Sequence, residues 1–252
     1  MFNRVHDFLL PGFFHHHPIV QDLKLEDIHF RRILMGGFPS YSKNIPLKPK
    51  FDRIIQIGDA SSIQSPLSFG GFGALIKHLP RLTKAIDQAL SENKLTKHDL
   101  SLINIYLPSL SVCWLFQRAM ALKVGQQETS ESSHGKGKSG WLPADHINKL
   151  MLCNFASMSF LGRKVIQPFL QDSMQAGPLA ATMLGMLLKD PITILRVLFQ
   201  VGPTIILTWF LHFFALVSYT MLHFIFSPLR NAIKSYRFQR MLDALEWGSG
   251  LN

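Results

Sequence analysis

The sequence predicts an α/β unit followed by a mostly helical, membrane-associated extension. Three observations predict it. The run FDRIIQIGD, residues 51–59, reads as a buried strand: Ile54, Ile55 and Ile57 are β-branched, and it ends in Gly-Asp. A small-residue, glycine-rich turn follows, and then Leu82, Ile86 and Leu90 recur at helical spacing. Finally, no charged side chain occurs from Val197 to Leu229.

Composition sets the class. With 252 residues, 47% of them hydrophobic, the chain can bury one sizeable core or two small ones. Charged residues make up 17%, against roughly 25% in soluble domains, and mean hydropathy is +0.16. The formal charge of +10 favours anionic lipid, an anionic cofactor or nucleic acid. Zinc-finger spacing and RNA-recognition signatures are absent and the basic residues are scattered, so nucleic acid is not expected and a membrane surface is. Two cysteines, Cys113 and Cys153, are too few for a disulfide framework or a metal cluster. The N-terminal MFNRVHDFLLPGFFHHHPIV has no secretory signal pattern, and its early acids and lack of serine do not suit a transit peptide. An organellar address is therefore expected upstream of Met1 or missing.

Residues 1–50 are punctuated by five prolines and by Gly12, Gly36 and Gly37, with a short alternating stretch, Ile28 to Leu34, that predicts a strand. A helix is expected from about Gly71 to Leu90, kinked or interrupted at Pro80. Residues 95–124 predict a helix pair broken at Pro108. The polar run GQQETSESSHGKGKSG, residues 125–140, cannot bury a core and predicts a flexible linker between regions 1–124 and 141–252. Beyond it, a helix starts near Pro143 and Asp145, and Pro168, Gly177-Pro178 and Asp190-Pro191 cut the following stretch into pieces. Pro203 to Phe226 is an apolar run of 24 residues followed by Arg230, Lys234, Arg237 and Arg240. A membrane helix needs about 20 residues. The run fits a true span, a hairpin-like insertion or a helix buried in the protein.

The chemistry concentrates in GDASSIQSPLSFGGFG, residues 58–73. Gly58 lets a ligand approach the backbone, and Asp59 can accept hydrogen bonds from sugar-like hydroxyls. Gly70, Gly71 and Gly73 permit tight backbone at a helix start, whose free N–H groups suit a phosphate or an electron-rich ring. On the residues alone, a cofactor cradle and a ligand-free corner fit equally.

The longer string FDRIIQIGDASSIQSPLSFGGFGALIKHLPRL, residues 51–82, closely resembles the C-terminal flavin motif of the CruA/CruP-type lycopene cyclases, within the geranylgeranyl-reductase-like flavoproteins. FPSYSKNIPLKP (38–49), GWLPADHINKLMLCNF (140–155), PFLQD (168–172), QVGP (200–203), WF (209–210) and WGSG (247–250) are also similar, most of all to the CruP branch. The resemblance spans about residues 25–252 and is most specific over SPLSFGGFG, residues 65–73. It implies the C-terminal part of a Rossmann-like FAD-binding fold. In it Asp59 contacts the ribityl chain, Pro66, Gly70, Gly71 and Gly73 line the isoalloxazine, and Gln64 and Ser65 lie near the ring, with Gly58 at the close approach. Ser62 stands where glycine is usual and Lys77 where arginine is usual. The family's GxGxxG turn, which holds the FAD pyrophosphate, occurs nowhere in the chain. A partial or truncated form is therefore expected, poorly folded alone because a central strand would lack neighbours.

The function so implied is a lycopene-cyclase-like, FAD-dependent carotenoid enzyme, with NAD(P)H as a candidate reductant. It would draw a lycopene-like polyene from membrane lipid in a plastid (thylakoid or envelope) or a cyanobacterial photosynthetic membrane. A flavin-dependent prenyl-chain reductase and a non-catalytic, membrane-associated remnant are the alternatives. No catalytic residue is assigned. Other candidates are weaker. His15, His16 and His17 do not share one face and lack a suitably spaced fourth ligand, so no metal site is expected. Asp145 and His146 are adjacent and diverge, as at a helix start. His212 and His223, eleven apart in the apolar run, fall on nearly one helical face; packing against neighbouring helices is the plainer account.

Overall fold

The computed structural model describes residues 48–67, 71–121, 142 and 146–251, together with His29 and Arg32. The chain divides into two units, Met1–Gly37 and Phe38–Asn252. Of the first only His29 and Arg32 are described, both exposed; the architecture below is that of the second.

Every regular element among the described residues is helical, which overturns the α/β expectation and the Rossmann-like fold with it. The helices are α1 (Gly71–Ser91), α2 (Lys97–Ser101), α3 (Pro108–Ser111), α4 (Trp114–Met120), α5 (His146–Leu161), α6 (Arg163–Leu170), α7 (Ala176–Lys189), α8 (Pro191–Val201), α9 (Pro203–Phe226) and α10 (Tyr236–Gly248). Short 3-10 turns cover Gly58–Ser61 and Ser227–Arg230.

Residues 51–59 are not a strand. A strand exists through ladder bonds to a neighbour, and here the segment makes isolated bonds to helical connections instead. The Arg53 N–H donates to Leu95 O at 2.8 Å, Asp52 Oδ1 accepts from the Lys97 N–H at 2.7 Å, and Asn104 Nδ2 donates to Gln56 O at 3.1 Å. Arg53 has φ +64, a left-handed residue inside the run that breaks its extended course. Ile54 and Ile57 are exposed. Their β-branching favours a pleated surface when one is there to join and does not create one. Most of Ile28–Leu34 and all of 125–140 and His15–His17 lie outside the described residues.

Helix boundaries follow their local chemistry. Thr96 caps α2 by accepting from the Asp99 N–H at 3.2 Å, and Asp190 caps α8 by accepting from the Thr193 N–H at 3.0 Å. Pro108, Pro191 and Pro203 open α3, α8 and α9, where a missing N–H costs nothing. Pro80 does not interrupt α1. It is exposed, as is Ile76 four residues earlier, so water can satisfy the freed carbonyl. Pro168 likewise sits inside α6.

One large apolar core joins α4 to α5, α7, α8 and α9 through Leu115, Phe116, Leu150, Leu179, Met186, Val197 and Leu216. A second forms where Leu82, Ala85 and Ala89 of α1 meet Leu100, Ile103 and Tyr236. The first core unites residues on both sides of 125–140. α9 joins it by one face: Trp209, His212 and Leu216 are buried at spacings of three and four. Trp209 Nε1 donates to Val112 O at 3.0 Å, and the Tyr106 hydroxyl and His212 Nδ1 share a 2.7 Å hydrogen bond. The opposite face exposes Leu207, Phe210, Leu211, Phe214, Met221, Phe224 and Ile225. Among the described residues, only the helix that begins at Pro203 is long and apolar enough to cross a membrane, and 17% of its most apolar stretch is buried in the protein.

Candidate functional site

Residues 58–67 fold into a tight, inward-turned corner ahead of α1. Gly58 and Ser62 both adopt left-handed backbone, at φ +59 each. Ser61 Oγ donates to Gly58 O at 2.8 Å, the Ser62 N–H to Asp59 O at 3.1 Å, and the Leu67 N–H to Ser65 Oγ at 3.1 Å. These bonds replace the ladder that a strand would have supplied. The φ of Ser62 is one that glycine adopts without strain.

The candidate residues whose burial is described fall into a buried and an exposed set. Gln64, Ser65 and Pro66 are buried, Ser65 against the Cys113 thiol, whose pKa burial pushes up to about 12. Gly58 is also buried, and a Cβ added there would lie 3.7 Å from the Leu75 methyls. Asp59 and Gly73 are exposed, and no atom lies within 4 Å of where a Gly73 side chain would begin. Gly71 opens α1, and Gly70 lies outside the described residues.

Gly73 borders an open groove of about 710 Å³, in the size range of small-molecule sites, roughly 300–1,000 Å³. Ile63 and Lys77 line it from the corner and α1, Leu170 and Asp172 from the end of α6, and Trp247 from α10. Lys77 ties the two sides together. Its ammonium donates to Gln171 O at 3.0 Å and to the Ser173 hydroxyl. Burial lowers the Lys77 pKa and the nearby Asp172 carboxylate partly offsets that. Beneath α1, His78 packs on Trp247 with ring centroids 4.6 Å apart, and the Arg81 guanidinium lies 5.8 Å from the same ring. Burial, then the Arg81 and Lys77 charges, push the His78 pKa down to about 3, so it is neutral near pH 7. Arg81 Nη1 donates to Ile103 O at 2.6 Å.

Of the described candidate residues, Gly73 lines the groove; Asp59 is exposed but does not line it, and Gln64 to Pro66 are buried in the corner. Sequence reasoning misses His78, Arg81, Asp172, Ser173 and Trp247. Asp172 and Trp247 line the groove from distant parts of the chain, Ser173 meets Lys77 there, and His78 and Arg81 lie on α1 itself, where no spacing marks them. Among the described residues, no group of three or more His, Cys, Asp or Glu side chains could hold a metal ion. Comparison with known protein families, curated proteins and solved structures finds no match to this chain.

Proposed function

We propose that this chain is the C-terminal part of a lycopene-cyclase-like flavoprotein that takes a polyene substrate from a photosynthetic membrane, in a plastid or a cyanobacterium. The observation that carries the reading is the string SPLSFGGFG, residues 65–73, whose Gly73 borders an open groove and which follows a left-handed Ser62 at the position where the resemblance expects glycine. The exposed apolar face of α9 supports the membrane part, being the kind of surface that lipid covers.

A reduced flavin, when bound, would supply the electron-rich ring that accompanies acid-base cyclisation of a polyene end group. The chain's own residues have simpler tasks. The N–H groups at the start of α1 and the Lys77 ammonium favour negative charge at the groove. Asp59 accepts from hydroxyls. Leu170, Ile63 and Trp247 keep the groove partly apolar, and α9 offers the route from lipid.

The test is flavin absorbance and mass on the same sample, extracted from its native source in mild detergent. A mass well above 28.6 kDa with bound FAD supports the reading. A mass of 28.6 kDa without flavin sinks it and leaves a non-catalytic membrane protein. With FAD present, ring formation on lycopene supports a cyclase, and loss of a double bond from a prenyl chain points to a reductase.

A further inference from the structure

A second groove, away from the glycine-rich corner, is built around a buried guanidinium. Arg240 of α10 is 2% exposed. Its Nη2 meets Asp243 Oδ2 at 3.1 Å and Gln88 Oε1 at 3.3 Å. Its Nε and Nη1 are buried and have no hydrogen-bond partner among the described residues, and the guanidinium lies 5.6 Å from the Tyr236 ring. Buried guanidinium donors without acceptors are costly, and Arg240 also lines the groove, where an acceptor can approach this side chain.

The surrounding charge has one sign. The groove measures about 340 Å³, and Arg240, Arg237 and Lys48 line it with the polar His98, Ser101 and Tyr106 beside an apolar side, with no carboxylate among the described lining residues. The nearby acids are already engaged. Asp243 serves both Arg240 and Arg230, the latter at 3.1 Å, and Glu246 meets Arg230 at 2.7 Å. Burial lowers the Arg240 pKa, and Asp243 and then Tyr236 raise it in part.

We propose that this groove binds a phosphoryl group, carried by a lipid headgroup or by a soluble phosphate ester. A phosphoryl group offers about two negative charges and three strong acceptors. That matches a site with several cations and donors converging from separate elements better than a single planar carboxylate does. Arg230 closes the turn after α9, so the groove lies one ion-pair network from the end of the apolar helix. The assignment stands without the flavin reading, because none of these residues belongs to the glycine-rich corner.

The experiment uses the full chain in mild detergent at constant ionic strength, with pyrophosphate titrated by calorimetry. Saturable binding is expected, weakened at least tenfold by Lys48→Gln with Arg237→Gln. Both side chains are exposed, so circular dichroism and the melting midpoint should hold. Arg240→Lys keeps a charge beside Asp243 but removes donors, and it should weaken binding similarly. Arg163→Gln with Lys164→Gln removes equal charge elsewhere and should change nothing. A second arm compares phosphatidylcholine vesicles with and without phosphatidic acid. Sensitivity of vesicle binding alone to the Lys48/Arg237 pair identifies a lipid headgroup, and sensitivity of pyrophosphate alone a soluble ester. If neither probe binds, or the control pair weakens binding as much as the groove pair, the site is only diffuse surface charge and the proposal falls.

Discussion

Ser62 holds a left-handed backbone, φ +59 and ψ 34, which an L-residue other than glycine enters at a cost of roughly 1–2 kcal/mol. Ser62→Gly should therefore raise stability by about 1 kcal/mol, seen as a melting midpoint about 2–4 °C higher; a lower midpoint would mean that the serine side chain contributes more than its backbone costs. Gly250 presents the opposite case. It has φ +70, and an added Cβ would sit 2.7 Å from Met174 O, so Gly250→Ala should destabilise by about 1–3 kcal/mol. His78 ties stability to pH. Unfolded, it titrates near 6.5; folded, near 3. Between those values the unfolded state holds a proton that the folded state lacks, so stability rises with pH there. The contribution is complete above about pH 6.5 and is lost on acidification toward 3, at roughly 1.4 kcal/mol per pH unit. Denaturant midpoints at pH 7, 6 and 5 should fall in the parent and less steeply in His78→Gln; parallel curves would remove His78 from the account.

Among the elements, α9 is the most informative because its two faces do different work. Trp209, His212 and Leu216 face the protein, and Phe210 and Phe214 do not. Each exposed Phe transferred from water to lipid is worth roughly 1.5–3 kcal/mol. Phe210→Glu with Phe214→Glu should thus lower vesicle partitioning on the order of a hundredfold while the melting midpoint changes little. Flotation with liposomes reads the first and circular dichroism the second; undiminished flotation would place lipid contact elsewhere. α9 is legible in its sequence to the residue, because a charge-free run opened by a proline leaves few alternatives. α1 is legible too, within one residue at its C-terminus. Residues 51–59 mislead, because β-branched residues report what a pleated surface would accept, and Arg53 and the Leu95 carbonyl supply a turn-like setting that local sequence does not show. In the candidate site, the corner glycines are visible as a motif. Lys77 with Gln171 and Ser173, and His78 with Trp247, are not, because their partners come from distant helices.

At the scale of the whole molecule, the sequence and the packing describe region boundaries by different means. The polar run 125–140 has the composition of a linker, and the first core crosses it. Leu115, Phe116 and Ala119 on one side pack with Leu150, Met186 and Leu216 on the other. Polar contacts cross as well: His146 Nε2 and Ala119 O lie 2.9 Å apart, and the Tyr236 hydroxyl donates to Asp99 O at 3.0 Å. α10 then locks against α9, where a Cβ on Gly248 would come within 2.5 Å of the Tyr219 ring. Composition cannot reveal such contacts, because a polar stretch between two apolar segments looks the same whether those segments separate or fold together. The covalent connection should therefore be dispensable once the chain has folded. A protease site inserted within 125–140 and cut in mild detergent should leave both pieces co-eluting on gel filtration, with helical content retained. Gly248→Ala should loosen that association, since the added Cβ would also lie 3.1 Å from Pro108 Cδ on the other piece, and Tyr219→Ala, by freeing the space of the ring 2.5 Å away, should restore part of the loss. Pieces that separate on cutting, with each still helical, would mean that the contacts between 112–119 and 150–216 are too weak to unite the two regions.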